Sequence, residues 1–334
     1  MILTLLRLLP VLLLSGWQVS WAESAPVTPQ QAVSPVAPAD TSPEAMLNEM
    51  QSAPARGLFY QISNKGQKAY LFGTLHVGKP DFFPLDRATT QALAESSELA
   101  VELDTTQTAK IMAAAQRYAT LPPPQTLDAL LPPALAKRLH TQLDALGIPQ
   151  AAVQGNKPWM AALSLTMVAY QQSGYGFEYA SDLHLTALAQ GFNKPITELE
   201  GIDYQLQLFD SIAPKDQLIF LDETLRYLEQ GQMPTDIQSI ISAWLSGDAD
   251  ALHRISLKSL RDTPRFGKWV KQKLITERNL SMAHTIEQRL AQGHTPFVAV
   301  GAMHLVGKDG LPELFKKKGY RVVNLYKGSP QASR

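Results

Sequence analysis

Ala69-Tyr70-Leu71-Phe72-Gly73-Thr74-Leu75-His76-Val77-Gly78-Lys79 and Phe297-Val298-Ala299-Val300-Gly301-Ala302-Met303-His304-Leu305-Val306-Gly307-Lys308 share one grammar: an apolar run, a glycine, and a histidine three residues further on. Apolar runs of this length, aromatic or β-branched and closed by glycine, suit buried strands whose ends break into loops. Each histidine then falls just past the carboxyl end of a strand, where open α/β sheets place their chemistry. A single histidine in that position is ordinary packing. Two in the same frame, more than two hundred residues apart, mark a site.

Outward from the first motif, Leu58-Phe59-Tyr60-Gln61-Ile62, the turn residues Asn64-Lys65-Gly66 and the run Lys68 to Phe72 predict a hairpin, with structure beginning near Gly57. Phe83-Pro84-Leu85-Asp86 opens a helix to about Ser97, and Leu99-Ala100-Val101-Glu102-Leu103-Asp104 reads as the next strand. Strand, helix, strand is a crossover that sets the end of the new strand beside the loop of the old one, so Glu102 becomes a neighbour of His76. The alternative is a solvated carboxylate on an edge strand. Between Val101 and Leu103, a carboxylate is costly unless a cation meets it.

From about 106 to 290 the chain is mainly helical, with helices over 109–118, 121–146 (broken by prolines), 157–172, 182–191, 212–230, 233–246 and 266–291. A short strand over 194–200 interrupts them, with Glu198 and Glu200 on one face by period two. A helix over 311–318 and a strand over 320–325 close the chain. The fold class is therefore α/β with mixed α+β character. Two related strand-Gly-x-x-His units build a central mixed sheet, and a helical insertion over about 106–290 covers it within one domain spanning 55–330.

Within the insertion, Glu178 and Asp182 are spaced for one helix face, which suits a solvated cap better than a ligand pair. His184 lies among leucines and reads as a core or half-buried residue, while His140, His253, His284 and His294 have no repeated context. Arg278 falls between Leu274 and Met282 on an apolar helical stripe, so it needs an anion. It either pairs an acid such as Glu198 or Glu200, or faces a substrate carboxylate or oxyanion. Its helix leads into the strand that delivers His304, which favours the second.

The 334 residues are 45% hydrophobic, enough for a sizeable core, and the net charge is zero. Without the first 54 residues the balance is 29 bases against 26 acids, which gives no electrostatic case for nucleic acid. Residues 1–22 read as a secretory leader: Leu5 to Leu14 is apolar but for Arg7 and Pro10, too short to span a bilayer, and Ser20-Trp21-Ala22 fits a cleavage site. Residues 23–54 hold six prolines and no aromatic residue, the composition of a disordered tether. The mature protein is expected in the periplasm or secreted, with no membrane insertion after cleavage. The absence of cysteine excludes disulfides, thiolate ligands and a thiol nucleophile.

Two histidines and a carboxylate, His76, His304 and Glu102, each at a strand end, are a ligand set for a divalent transition metal with open positions, and hydrolysis of an amide or ester follows from it. No His-Glu-x-x-His helix and no serine nucleophile elbow occurs. Two other functions use the same residues: a non-enzymatic haem or metal carrier, and a metal-free esterase with His76 and Glu102 as acid and base.

Gly73-Thr74-Leu75-His76, Val101-Glu102-Leu103-Asp104, Glu277-Arg278-Asn279 and Val300-Gly301-Ala302-Met303-His304-Leu305 with Gly307 and Gly310-Leu311 resemble the TraB/GumN family, whose animal relatives include the Tiki proteases. The resemblance runs from about Gly57 to Leu325. It implies a metal-dependent, peptidase-like protein acting on a peptide or protein. His76, His304 and Glu102 would hold a metal such as Mn, Co or Zn, and Glu102, Arg278 and Asn279 would be the catalytic candidates. The wider group is similar to haem-binding ChaN-like proteins and erythromycin-esterase-like enzymes, so the fold alone does not fix the substrate.

Overall fold

The computed structural model describes residues 52–262 and 264–326. The leader expected over 1–22 and most of the tether over 23–54 lie outside the described residues. At the tether's end Ala53 is already buried, so packing starts ahead of Gly57.

Six strands, β1 (Leu58–Asn64), β2 (Gln67–Thr74), β3 (Glu98–Val101), β4 (Ile196–Glu198), β5 (Pro296–Gly301) and β6 (Arg321–Asn324), form one mixed sheet in the order β4-β3-β5-β2-β1-β6. β2, β5, β3 and β4 run parallel, while β1 is antiparallel to both β2 and β6. The hairpin is as the turn residues predict: Lys65 and Gly66 both take positive φ, and Asn64 pairs with Gln67. β5 lies between β2 and β3, the two strands joined by the crossover. Every residue of β5 is buried, and a strand apolar on both faces belongs at the centre of a parallel sheet. Thr74 pairs with Gly301, and Val101 with Ala299. The three strands that carry the motif residues therefore end nearly level.

α1 (Arg87–Glu95) joins β2 to β3. Asp86 caps it by accepting from the Ala88 and Thr89 N–H groups, so Phe83 to Leu85 stay outside the helix they were predicted to open. Between β3 and β4 lie α2 (Thr108–Tyr118), α3 (Leu127–Leu130), α4 (Pro133–Ala145), α5 (Pro158–Gln172) and α6 (Ser181–Gly191). Between β4 and β5 lie α7 (Ile202–Asp210), α8 (Pro214–Glu229), α9 (Met233–Leu245), α10 (Ala249–Asp262), α11 (Pro264–Trp269), a π-helical stretch Val270–Thr276, and α12 (Glu277–Ala291). α13 (Leu311–Lys317) precedes β6. α7 and α10 escape the sequence reading: α7 is a short helix burying Ile202, Leu206 and Phe209, and α10 turns Leu252 and Ser259 inward among basic residues.

Two contacts tie this helical section to the first motif. Trp244 on α9 is fully buried, packs edge-on against Phe72, and donates from its indole nitrogen to the Gly73 carbonyl at 2.7 Å. The loop after β2 is strapped to the segment before α6. Leu75 N–H donates to Ser181 Oγ at 2.8 Å, the Leu75 carbonyl accepts from Ser181 N–H, and Gly78 and Gly176 exchange both backbone hydrogen bonds.

A Cβ on Gly78 would sit 2.1 Å from the Tyr179 carbonyl oxygen, a backbone atom that can retreat only by opening the strap. Gly78→Ala is therefore expected to lose about 2 kcal/mol in denaturant unfolding. An unchanged midpoint would show that the strap yields freely.

Candidate active site

His76 stands two residues beyond β2, in the strapped loop. Its Nδ1 lies 3.0 Å from Asp182 Oδ2, in the first turn of α6. A carboxylate can only accept, so Nδ1 carries a proton and donates it to Asp182. Asp182 thus partners a histidine and is no solvated cap. Glu178 lies ahead of α6, so the two never share a helix face.

His304 sits in a single 3-10 turn, Ala302–Leu305, that follows β5. The side chain of Asn279 fixes its tautomer in the same way. The Asn279 amide nitrogen donates to the Asp309 carbonyl at 2.7 Å, which turns its oxygen toward His304 Nδ1 at 2.6 Å. Nδ1 donates, and the unprotonated Nε2 faces Glu102 Oε1 at 3.7 Å. Burial, and then the nearby Arg278, push His304 down to about 3, so the ring is neutral near physiological pH.

Glu102 is one residue beyond β3 and almost fully buried. Its Oε1 accepts the Gly301 N–H at 2.7 Å, while Oε2 is held by Arg278 and, at 3.3 Å, by Gln205. Burial pushes the carboxyl up, but Arg278, His304, His76 and the Gly301 N–H together outweigh it and hold it at about 2. Arg278 is 1% exposed. It donates from Nε and Nη2 to Glu200, at 2.9 Å and 2.7 Å, as well as to Glu102. In place of the cleft-facing position favoured for it, Arg278 turns Nε and Nη2 to two buried acids and Nη1 to the Leu274 carbonyl. Glu198 and Glu200 also part company. β4 ends at Glu198, the chain bends, and period two is lost. Glu198 stays near the surface with Lys110 and the Asp104 N–H, and Glu200 turns inward.

Arg278 with Glu102 and Glu200 leaves a buried net charge of −1, and Asp182 adds another acid beside His76. A narrow cavity between them is lined by Thr74, His76, Glu102, Thr105, Asp182 and Thr186. On its other side His76 borders an apolar cavity lined by Tyr170, Ile237, Ile240 and Ile241. Among the described residues, no three His, Asp or Glu side chains close around one point as a ready metal cage. The donor chemistry of such a set is nevertheless in place: two imidazoles whose Nδ1 atoms are occupied, an ionised carboxylate, and surplus negative charge. His184 is stacked on Phe83 at 4.1 Å, half-buried as expected.

An open α/β sheet with two imidazoles and a glutamate at the carboxyl ends of its central strands defines the class of protein. The chain belongs to the TraB/PrgY/gumN family, whose model matches residues 58–324. It is 26% identical over 248 residues to the uncharacterized protein YbaP of Shigella flexneri, covering 74% of this chain and 88% of that protein. It is equally similar to YbaP of Escherichia coli K12, at 26% over 247 residues, 74% and 87%. With metalloprotease TIKI1 of Danio rerio it shares 27% over 314 residues, 78% of this chain and 62% of that longer protein. No solved structure gives a significant match. Among the described residues, no helix is long and apolar enough to cross a membrane.

Replacing Arg278 by methionine keeps bulk but strands two buried acids, so thermal and denaturant unfolding are expected to show a loss of about 3 kcal/mol or more. Stability near that of the parent would contradict the pairing. For pH, the sign follows from His304, whose folded value of about 3 lies below the ordinary 6.5. Between those values the unfolded chain binds a proton that the folded chain refuses, so stability falls as pH drops from about 6.5 to 3. His304→Asn is expected to flatten that slope by about one proton, read from unfolding free energies across the window.

Proposed function

We propose that the protein is an exported, metal-dependent hydrolase acting on peptides or proteins, with one divalent transition metal held by His76, His304 and Glu102. One observation carries this reading. Two buried imidazoles have their Nδ1 atoms engaged by Asp182 and Asn279, and both rings lie close enough to Glu102 to help hold it ionised. The family relatives named as metalloproteases support the same chemistry.

A divalent cation held there supplies Lewis acidity, polarising a scissile carbonyl and acidifying water. The chain's own residues do the rest. Asp182 and Asn279 orient the imidazoles, and Arg278 keeps Glu102 ionised and locked in place. Arg278 and Asn279 are positioning residues in this reading, since Arg278 is turned to Glu102 and Glu200 and Asn279 to His304 and the Asp309 carbonyl. A metal-free esterase with Glu102 as the base is disfavoured, because a carboxyl held at about 2 takes up no proton near neutral pH. Haem carriage is disfavoured by the narrowness of the cavity beside His76.

His76→Ala, His304→Ala and Glu102→Gln are each expected to abolish peptide hydrolysis that chelation removes and Mn, Co or Zn restores. Pairs of these changes should add little, because ligands act as a unit. Hydrolysis that survives chelation, or full activity in any one variant, would sink this assignment.

A further inference from the structure

We propose that Thr74 and Asp182 together hold the water that hydrolysis consumes, in the cavity bordered by His76 and Glu102; this rests on the hydrolase reading above. Thr74 is the last residue of β2 and is fully buried, yet its hydroxyl has no hydrogen-bond partner in the protein. Asp182 spends Oδ2 on His76, while its Oδ1 is likewise buried without a partner. Both side chains line one cavity, and that cavity has room for about one water molecule. A buried hydroxyl and a buried carboxylate oxygen left unsatisfied are expensive, and two facing the same small space point to a shared polar occupant.

The chemistry of the pair selects water. A carboxylate oxygen only accepts and a hydroxyl does both, so one water can donate to Asp182 Oδ1 and exchange a hydrogen bond with Thr74 Oγ1. Glu102, by contrast, has both oxygens partnered, by Gly301 and Arg278. Of the other lining residues, Val101, Leu103 and Ala299 are apolar, and the hydroxyls of Thr105 and Thr186 are not among the buried groups left without a partner. Both holders are rigid before any substrate arrives. Pairing with Gly301 fixes the backbone of Thr74, and Asp182 follows directly on Ser181, which is bonded to Leu75. Such preorganisation is what orients a nucleophile.

Thr74→Val keeps the shape of the side chain and removes the hydroxyl. It is expected to leave metal content, KM and folding unchanged while kcat falls about a hundredfold, with Thr74→Ser recovering most of the loss. A high-resolution crystal structure of the full chain should show one ordered water within hydrogen-bond distance of both Thr74 Oγ1 and Asp182 Oδ1, and none in Thr74→Val. If Thr74→Val melts higher with kcat unaltered, the hydroxyl is merely tolerated and the proposal fails. Anomalous scattering from a metal at that point also overturns it. A parent protein that hydrolyses no peptide under any divalent metal removes the hydrolase reading and this role together, whereas an active parent with an unaffected Thr74→Val removes this role alone.

Discussion

The site depends on one guanidinium buried between two carboxylates. Arg278 ties α12 to the residue after β3 through Glu102 and to the bend after β4 through Glu200, so three separate stretches of chain meet at a single side chain. Gln205 on α7 donates to both acids and completes the network. Such a cluster is a doubtful source of stability, because desolvating three charges offsets most of their attraction. Its effect on chemistry is plainer. It keeps Glu102 ionised at any physiological pH, helps hold His304 neutral, and sets two acids against one guanidinium.

The two motif histidines are served alike from opposite sides. Each extends past the carboxyl end of a central strand, and each has its Nδ1 taken by an oxygen from a helix: Asp182 of α6 for His76, Asn279 of α12 for His304. The helical section between β3 and β5 is therefore part of the machinery. It supplies Asp182, Glu200, Gln205, Arg278 and Asn279, and Trp244 clamps it to the carbonyl of the first motif's glycine.

Much of this was legible in the sequence, and the failures have physical causes. The repeated motif located both histidines and the ends of β2 and β5, because an apolar run closed by glycine has few other meanings. The stripe through Leu274, Arg278 and Met282 marked Arg278 as buried. The identity of its partner was open, since helical spacing shows that a charge needs an anion without showing which strand brings it. Strand order was not legible, because β5 arrives from more than two hundred residues beyond β2 to separate it from β3. Asp182 was read as a surface cap because its partner is fixed by the Leu75–Ser181 strap, a long-range contact that leaves no periodic trace. Asn279 entered through family resemblance alone. An asparagine has no signal of its own until the histidine beside it is in view.

The central claim is that two imidazoles and an ionised glutamate form a cation site, and cobalt reads this without requiring a substrate. Chelator-treated full-length protein titrated with Co2+ is expected to develop visible ligand-field absorption that saturates at one equivalent, and to lose it in folded His76→Ala and His304→Ala. Absorption that fails to develop in the parent protein, or that persists unchanged in both variants, would contradict the account.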